Sequence, residues 1–332
     1  MNIVIGANGL VGLYLVAKLL NEGEEVTCLV RSQVVADELH LALQIKMKVN
    51  LATLAKIKYV HANILDYPKL EECFGKDDHI YHLAALVSFN EQDKTLLFET
   101  NIEGTANVVN AALEKKVKVL AYISSVAALG RQNNQTIVTE DHDFIHHNKN
   151  SNYAISKYYA ELEVWRGKEE GLNIVVVNPT IILGYAIKGQ SSASIFTKVK
   201  NKFKFTSDGV NGFVAAEDVA NCLYLLVTKK IFNHRFILNG ENMSYSKLFS
   251  LIANEMNLNF SRYLLKRWMK WPAIILAKIW SLITQKTPFI SAEIIETALA
   301  NNQYSNAKIT AAIAYDFMPI EKAVKNTVNI MS

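Results

Sequence analysis

Cysteine is scarce in this 332-residue chain: Cys28, Cys73 and Cys222 stand far apart, with no Cys-x-x-Cys pair and no zinc-like spacing. That excludes a disulfide framework and fits a reducing cytosol, where three small apolar side chains are simply buried. Uncharged apolar runs of about 18 residues are also missing, so no spanning helix is expected. The first strand is expected to begin at Asn2 or Ile3, which predicts no targeting segment ahead of it and a cytoplasmic protein. Repeats and low-complexity tracts are absent. A strong charge imbalance is absent too, and a net charge of +4 is too mild to imply a nucleic-acid partner.

What is present has the balance of a soluble globular chain, with 50% apolar and 20% charged residues. The length suggests one large domain or two modest ones. Up to about residue 125, short apolar runs alternate with helical periodicity. Strands are expected at Asn2–Ile5, Glu25–Val30, Lys58–His61, His79–Leu83 and Val119–Ser124. Helices are expected at Leu10–Glu22, up to about Lys48, at Tyr67–Phe74 and from Asp93 to Lys115. This βαβ alternation predicts an α/β fold, a doubly wound parallel sheet with ligands at the carboxyl ends of its strands. Beyond it, 131–152 reads as a long polar loop, Tyr153–Glu170 as a helix and Leu172–Val177 as a buried strand stopped by Asn178-Pro179. Gly189–Ser194 reads as a mobile loop, Phe213–Lys229 as a return to the sheet layer and His234–Leu238 as a late strand. From Met243 onward the pattern is mainly helical.

Gly6-Ala7-Asn8-Gly9-Leu10-Val11-Gly12 follows the first strand and opens the first helix. Glycine lets the backbone approach a pyrophosphate, and the helix start supplies free N–H groups and a favourable dipole. The spacing alone is a weak signal; between a strand and a helix it points to a dinucleotide. The second strand ends in Val30-Arg31-Ser32, with no acid to accept from a ribose 2′-hydroxyl. Arg31 suits a 2′-phosphate, so NADP(H) is favoured, with NAD(H) as the alternative if Arg31 is merely exposed.

Asn152-Tyr153-Ala154-Ile155-Ser156-Lys157 places Tyr153 and Lys157 one helical turn apart on one face. A nearby ammonium favours the tyrosinate and so lowers the tyrosine pKa, which suits proton transfer to a carbonyl. Ser124-Ser125 falls at the end of an expected strand, where a hydroxyl can steady a substrate oxygen. Asn101 lies in Thr100-Asn101-Ile102-Glu103-Gly104-Thr105.

With the glycine turn, His82-Leu83-Ala84-Ala85, Thr100–Thr105, Ser124-Ser125 and Tyr153–Lys157 in view, the chain resembles the extended short-chain dehydrogenase/reductase superfamily (NAD-dependent epimerase/dehydratase family) over nearly its full length. The resemblance implies a Rossmann sheet with a smaller, mainly helical C-terminal substrate domain. It implies Tyr153 as general acid/base, Lys157 lowering its pKa and holding the nicotinamide ribose, and Ser125 as the catalytic serine. It further implies cofactor contacts at Gly6, Asn8, Gly9, Leu10, Val11, Gly12, Arg31, Asn63, Ile64, Ala84, Ala85, Asn101, Ser124, Pro179, Thr180 and Ile181, with no metal. One position departs from the pattern: Ala62-Asn63-Ile64 stands where relatives carry Gly-Asp-Ile or Gly-Asp-Leu. An asparagine oxygen still accepts a hydrogen bond from the adenine amino group.

Leu129-Gly130 and Asn178-Pro179-Thr180-Ile181-Ile182-Leu183-Gly184 resemble dihydroflavonol 4-reductases and cinnamoyl-CoA reductases more than nucleotide-sugar epimerases. The expected activity is therefore NADP(H)-dependent reduction of a carbonyl, or oxidation of the alcohol, on a small molecule. A nucleotide-sugar epimerase or dehydratase with tightly bound NAD is the rival, and a non-catalytic dinucleotide sensor is a third reading. The dinucleotide domain is expected at 1–178 with returning segments near 212–238, and the substrate domain at 179–211 and 239–332. A homodimer through the helices containing Asn101 and Tyr153 follows from resemblance alone.

Between Glu255 and Glu293 no acidic residue occurs, while Arg262, Lys266, Arg267, Lys270, Lys278 and Lys286 do. Within that stretch 268–283 is amphipathic. It reads first as a helix packed on the core, then as a substrate lid, and last as an interfacial helix touching an anionic membrane. His142, His146 and His147 cluster in the polar loop, where no metal is expected because the loop reads as flexible and the family it resembles needs none. Asp218 reads as structural, a helix cap.

Overall fold

A computed structural model of the chain describes residues 1–130, 137–145, 150–187, 191–259, 263–265, 269 and 297–332. The expected alternation is there from the start: β1 (Asn2–Ile5), α1 (Leu10–Asn21), β2 (Val26–Val30), α2 (Gln33–Ile45), α3 (Leu51–Leu54), β3 (Ile57–His61), α4 (Tyr67–Cys73) and β4 (His79–His82). Next come α5 (Lys94–Phe98), α6 (Gly104–Glu114), β5 (Val119–Ile123), β6 (Ile137–Val138), α7 (Asn152–Glu169), β7 (Ile174–Pro179) and β8 (Ile181–Leu183). They are followed by α8 (Ser194–Lys200), β9 (Phe205–Thr206), β10 (Val210–Ala215), α9 (Ala216–Thr228), β11 (His234–Leu238), β12 (Glu241–Ser244) and α10 (Tyr245–Glu255). Last are β13 (Tyr263–Leu264), β14 (Gln303–Tyr304), α11 (Ala307–Ile313) and α12 (Ile320–Met331).

Seven strands form one sheet in the order β3-β2-β1-β4-β5-β7-β11, every neighbouring pair parallel. The chain builds outward from β1 to β3, then crosses back to place β4 on the other side of β1. Strand order reverses between β1 and β4, and their carboxyl ends open a crevice there. Strands covered on both faces are apolar on both. In β1, Val4 packs with Leu13, Leu15, Cys28 and Leu223, while Ile3 and Ile5 pack with Ile80, Val108, Leu120 and Val164 on the opposite face. A third core, including Leu183, Phe196, Phe213, Met243, Leu248 and Val324, lies around a small sheet of order β8-β10-β12.

Several expectations are refined. The helix expected from Asp93 to Lys115 is broken: a 3₁₀ turn (Glu91–Asp93) leads into α5, and a π turn (Glu99–Glu103) joins α5 to α6. The widened turn delivers Asn101 to the interior, where it is 1% exposed. α2 stops short of Lys48, which sits at a φ of 56°. Phe213–Lys229 divides between β10, in the small sheet, and α9, which packs its Leu223 against the α1 side of the main core. Asp218 is structural but caps nothing. Ala215 is the N-cap, without a side-chain bond, and Asp218 instead accepts from Tyr315 Oη (2.7 Å) and Met318 N (3.0 Å). The polar loop contributes β6, paired with β14, and His142 bonds within the loop to Thr139. His146, His147, Gly189, Gln190 and the amphipathic stretch 268–283, Met269 apart, lie outside the described residues. Among the described residues no helix is long and apolar enough to cross a membrane.

Candidate active site

β1 delivers the chain into Gly6 at φ 87°, a left-handed conformation that favours glycine. Space is equally decisive, because a Cβ on Gly6 would sit 2.6 Å from the Ala84 backbone nitrogen at the end of β4. Gly9 N donates to Gly6 O (3.0 Å) and closes the turn. A Cβ on Gly12 would overlap the Gly6 carbonyl oxygen. Gly9 is the N-cap of α1, with no side-chain cap and no acid in the first turn, so the N–H groups that open the helix have no side-chain partner. An N-terminus of this kind, beside backbone that no Cβ could share, fits a pyrophosphate.

Arg31 follows β2, is exposed, and makes no hydrogen bond or ion pair with a described residue; Ser32 beside it caps α2. Asn63 is exposed, and its Oδ1 accepts from Leu65 N (3.1 Å), leaving the second lone pair for another donor. Ile64 turns inward and packs against Gly104, where a Cβ would lie 2.6 Å from its Cδ1. Ala84 is half-buried and Ala85 exposed at the crevice. Thr180 is tied to Leu238 O and Asn239 Oδ1 (3.2 Å each), between buried Pro179 and half-buried Ile181.

At the end of β5 the hydroxyls gather. Ser125 caps the following 3₁₀ turn, its Oγ accepting from Ala127 N (3.1 Å), and it hydrogen-bonds Tyr153. Tyr153 is half-buried in the first turn of α7, where Ser151 is the N-cap, and its ring meets Phe89 edge-on at 5.7 Å. Lys157, one turn on, is 1% exposed. Its Nζ donates to Tyr122 Oη (2.6 Å) and to Ile123 O (2.8 Å). Burial lowers the Lys157 pKa to about 7, with Glu161 opposing.

The pKa expectation for Tyr153 is corrected here. Burial raises it, and the opposing influence is the Ser125 hydrogen bond rather than Lys157. The reason is geometric: one helical turn puts both residues on one face, but the amine turns onto the end of β5. Asn101 is tied into the fold by its side chain. Its Oδ1 accepts from Leu86 N (2.7 Å), and its Nδ2 donates to Leu86 O (3.0 Å) and Ser156 Oγ (2.9 Å). Its side chain clamps the segment after β4 onto α7, and its Oδ1 keeps a second lone pair.

Residues that the sequence reading passed over hold the cluster in place. Asn178, fully buried on β7, donates from Nδ2 to Ser125 O (2.9 Å) and to Glu161 Oε2 (2.8 Å). Glu161, 1% exposed, accepts from Arg235 Nε (2.7 Å) and from Trp165 (3.1 Å). Tyr122, His82 and Thr105 lie beneath Lys157. The visible signal for Glu161 was its place one turn after Lys157, on the face already holding Tyr153. Two buried acceptors here have no partner, Ser124 Oγ and Asn178 Oδ1. Orphaned polar atoms beside the crevice fit a polar ligand such as a nicotinamide carboxamide.

A parallel sheet with this glycine turn at its switch point, and a serine, tyrosine and lysine at the neighbouring strand end, defines a dinucleotide-dependent oxidoreductase of the extended short-chain dehydrogenase/reductase type. The chain belongs to the NAD dependent epimerase/dehydratase family, whose model matches residues 2–237. It is 32% identical over 234 residues to cinnamoyl-CoA reductase 1 of Petunia hybrida, covering 67% of each chain. It is 27% identical over 277 residues to a putative dihydroflavonol 4-reductase of Synechocystis, covering 80% of this chain and 75% of that one. Among solved structures, gox2253 superposes with a TM-score of 0.80 at 22% identity, over 100% of this chain and 97% of that one. The UDP-N-acetylglucosamine 4-epimerase of Methanobrevibacter ruminantium M1 gives 0.75 at 17% identity, over 99% and 97%. At such identities the structural likeness speaks for the fold.

Proposed function

We propose that the chain is an NADP(H)-dependent reductase or dehydrogenase acting on a carbonyl, or the matching secondary alcohol, of a small molecule. The observation that carries this is the Tyr153–Ser125 hydroxyl pair at the end of β5, backed by the buried Lys157 amine. The glycine turn would hold the pyrophosphate, Arg31 a 2′-phosphate, Asn63 the adenine, and Lys157 and Ser124 the nicotinamide riboside. When bound, the nicotinamide supplies hydride to the carbonyl carbon, or accepts it from the alcohol. Tyr153 Oη gives its proton to the carbonyl oxygen, and Ser125 Oγ donates a hydrogen bond to that oxygen. Lys157 keeps one N–H beyond the two spent on Tyr122 and Ile123, for a ribose hydroxyl of the cofactor, and the Ser125 hydrogen bond is what favours the tyrosinate left behind. Residues 1–178 with 212–238 would form the dinucleotide domain, and 179–211 with 239–332 the substrate domain. Leu96 on α5 and Tyr159 and Leu162 on α7 are exposed, which supports a homodimer through those helices.

The sequence relatives named above favour the reductase reading over the epimerase one. The test is consumption of NADPH and of NADH with a panel of aldehydes and ketones, alongside nucleotide sugars. Carbonyl-dependent oxidation is expected, with affinity for NADPH about 10–100-fold above that for NADH, the worth of a charge-assisted contact at Arg31. Arg31→Ser should erase that gap. A preference for NADH in the wild type would remove the Arg31 assignment. NAD retained through purification, with interconversion of a sugar, would replace the reductase by an epimerase.

A further inference from the structure

Beneath Lys157 a run of polar side chains extends into the sheet without reaching water. Lys157 Nζ donates to Tyr122 Oη at 2.6 Å and lies 4.3 Å from the centre of its ring. Tyr122 hydrogen-bonds Thr105, and Thr105 Oγ1 lies 3.0 Å from His82 Nε2. Exposure is 1% for Lys157, Tyr122 and Thr105 and 0% for His82. The four come from four elements: α7, β5, α6 and β4 meet at this one point.

An ammonium has no lone pair, so the charged lysine donates to Tyr122 Oη. Burial raises the Tyr122 pKa, and the Thr105 hydrogen bond lowers it, as a donor to that oxygen does. His82 Nε2 shares the Thr105 hydroxyl, while its Nδ1 is buried without a partner. Burial and the neighbouring Lys157 charge push the His82 pKa down to about 3, which keeps the ring neutral. The arrangement leaves His82 with an unsatisfied nitrogen while giving Lys157 an oriented acceptor.

We propose that Tyr122 is the positioning residue of Lys157, its hydroxyl oriented through Thr105 and His82 so that the amine is held at the end of β5 and its charged form is supported there. This role deepens the proposed function, since it concerns the amine assigned to the cofactor. The titratable groups facing Lys157 are Tyr153 and Glu161 on its own helix, Tyr122 on β5 and His82 on β4. Arg235 on β11 pairs with Glu161. Among these, Tyr122 alone both accepts a hydrogen bond from the amine and can lose that ability without a change of shape.

The test follows Lys157 itself in protein labelled with ¹³C-lysine, its signal assigned by its disappearance in Lys157→Met. In Tyr122→Phe the ammonium loses an acceptor, so its titration midpoint should fall by about one unit, tenfold in proton affinity. The affinity for NADPH should then weaken at a correspondingly lower pH. Thr105→Val, which disorients Tyr122, should shift the midpoint in the same direction by less, and Thr105→Ser should restore it. An unchanged or raised midpoint in folded Tyr122→Phe overturns the proposal. Should that variant fail to fold, a Thr105→Val midpoint equal to wild type overturns it instead. A shifted midpoint in a protein that reduces no carbonyl would refute the proposed activity and leave the role of Tyr122 standing; an active reductase with an unmoved midpoint would do the reverse.

Discussion

At the end of β1 the groups proposed to bind are backbone amides; at the end of β5 the groups proposed to react are side-chain hydroxyls beside a buried amine. The first site works by having nothing in it: no Cβ at Gly6 or Gly12, no side-chain cap on α1. The second works by being crowded: Tyr153, Ser125, Asn178 and Glu161 are bonded in a chain, and Lys157 is bonded to Tyr122 and Ile123 beside them. A binding site made of backbone is exact in shape and carries no proton. A cluster of buried titratable groups can move a proton but has to be held by residues that never touch the substrate. The sharpest way to separate the two is Tyr153→Phe, which removes the proton and leaves the glycine turn untouched. Turnover should drop by about 10²–10⁴-fold, while dinucleotide affinity, read by thermal shift or calorimetry, stays within about twofold. Near-normal turnover would remove Tyr153 from the chemistry.

Gly12→Ala makes the opposite cut. Its Cβ would run into the carbonyl of Gly6 and lie 2.7 Å from the Ala7 Cα, backbone atoms with no rotamer to escape into. The cost should reach about 3 kcal/mol of stability, the upper part of the range for overpacking, together with loss of dinucleotide binding. Denaturant unfolding and calorimetry check it. A variant of normal stability that still binds would show that the turn can open, and the contrast between a rigid turn and a supported cluster would fail.

The same contrast governs what the sequence shows in advance. The glycine turn is legible because its physics is local: a strand, three glycines and a helix lie within one short segment, and the sheet order follows from the βαβ alternation. Tyr153, Lys157 and Ser125 are legible as spacing and as strand-end placement. Their support is not. Arg235 meets Glu161 across 74 residues and Asn178 meets Ser125 across 53, contacts that no periodicity announces. His82 and Thr105 sit inside quoted motifs, but their hydrogen bond appears only when β4 and α6 are packed. The burial of Asn101 was hidden for a related reason. A regular helix would have left it on a helix face, and the π turn buried it against Leu86 and Ser156 instead. The direction in which Lys157 points was likewise beyond reach, because helix register fixes the face of a residue but not the end of a four-carbon side chain.

Lys157 offers the smallest and most discriminating test of the crowded site, because its burial has a thermodynamic sign. The folded-state pKa lies near about 7, against an ordinary value of 10.5. Between those values the unfolded chain binds the proton and the folded chain does not, so stability rises with pH across that window. Below it both states carry the proton, and the full cost of an ammonium in the core is felt. Lys157→Met removes the group, so its stability relative to wild type should be greatest below neutral pH and should shrink by roughly 2 kcal/mol between about pH 6 and about pH 9. Denaturant unfolding of both proteins at the two pH values measures this directly. A difference that stays constant would mean that Tyr122, Ile123 and Glu161 hold the amine charged in the core as readily as in water; the lysine would then be as rigidly built as the glycine turn beside it, with no proton to give up near neutrality.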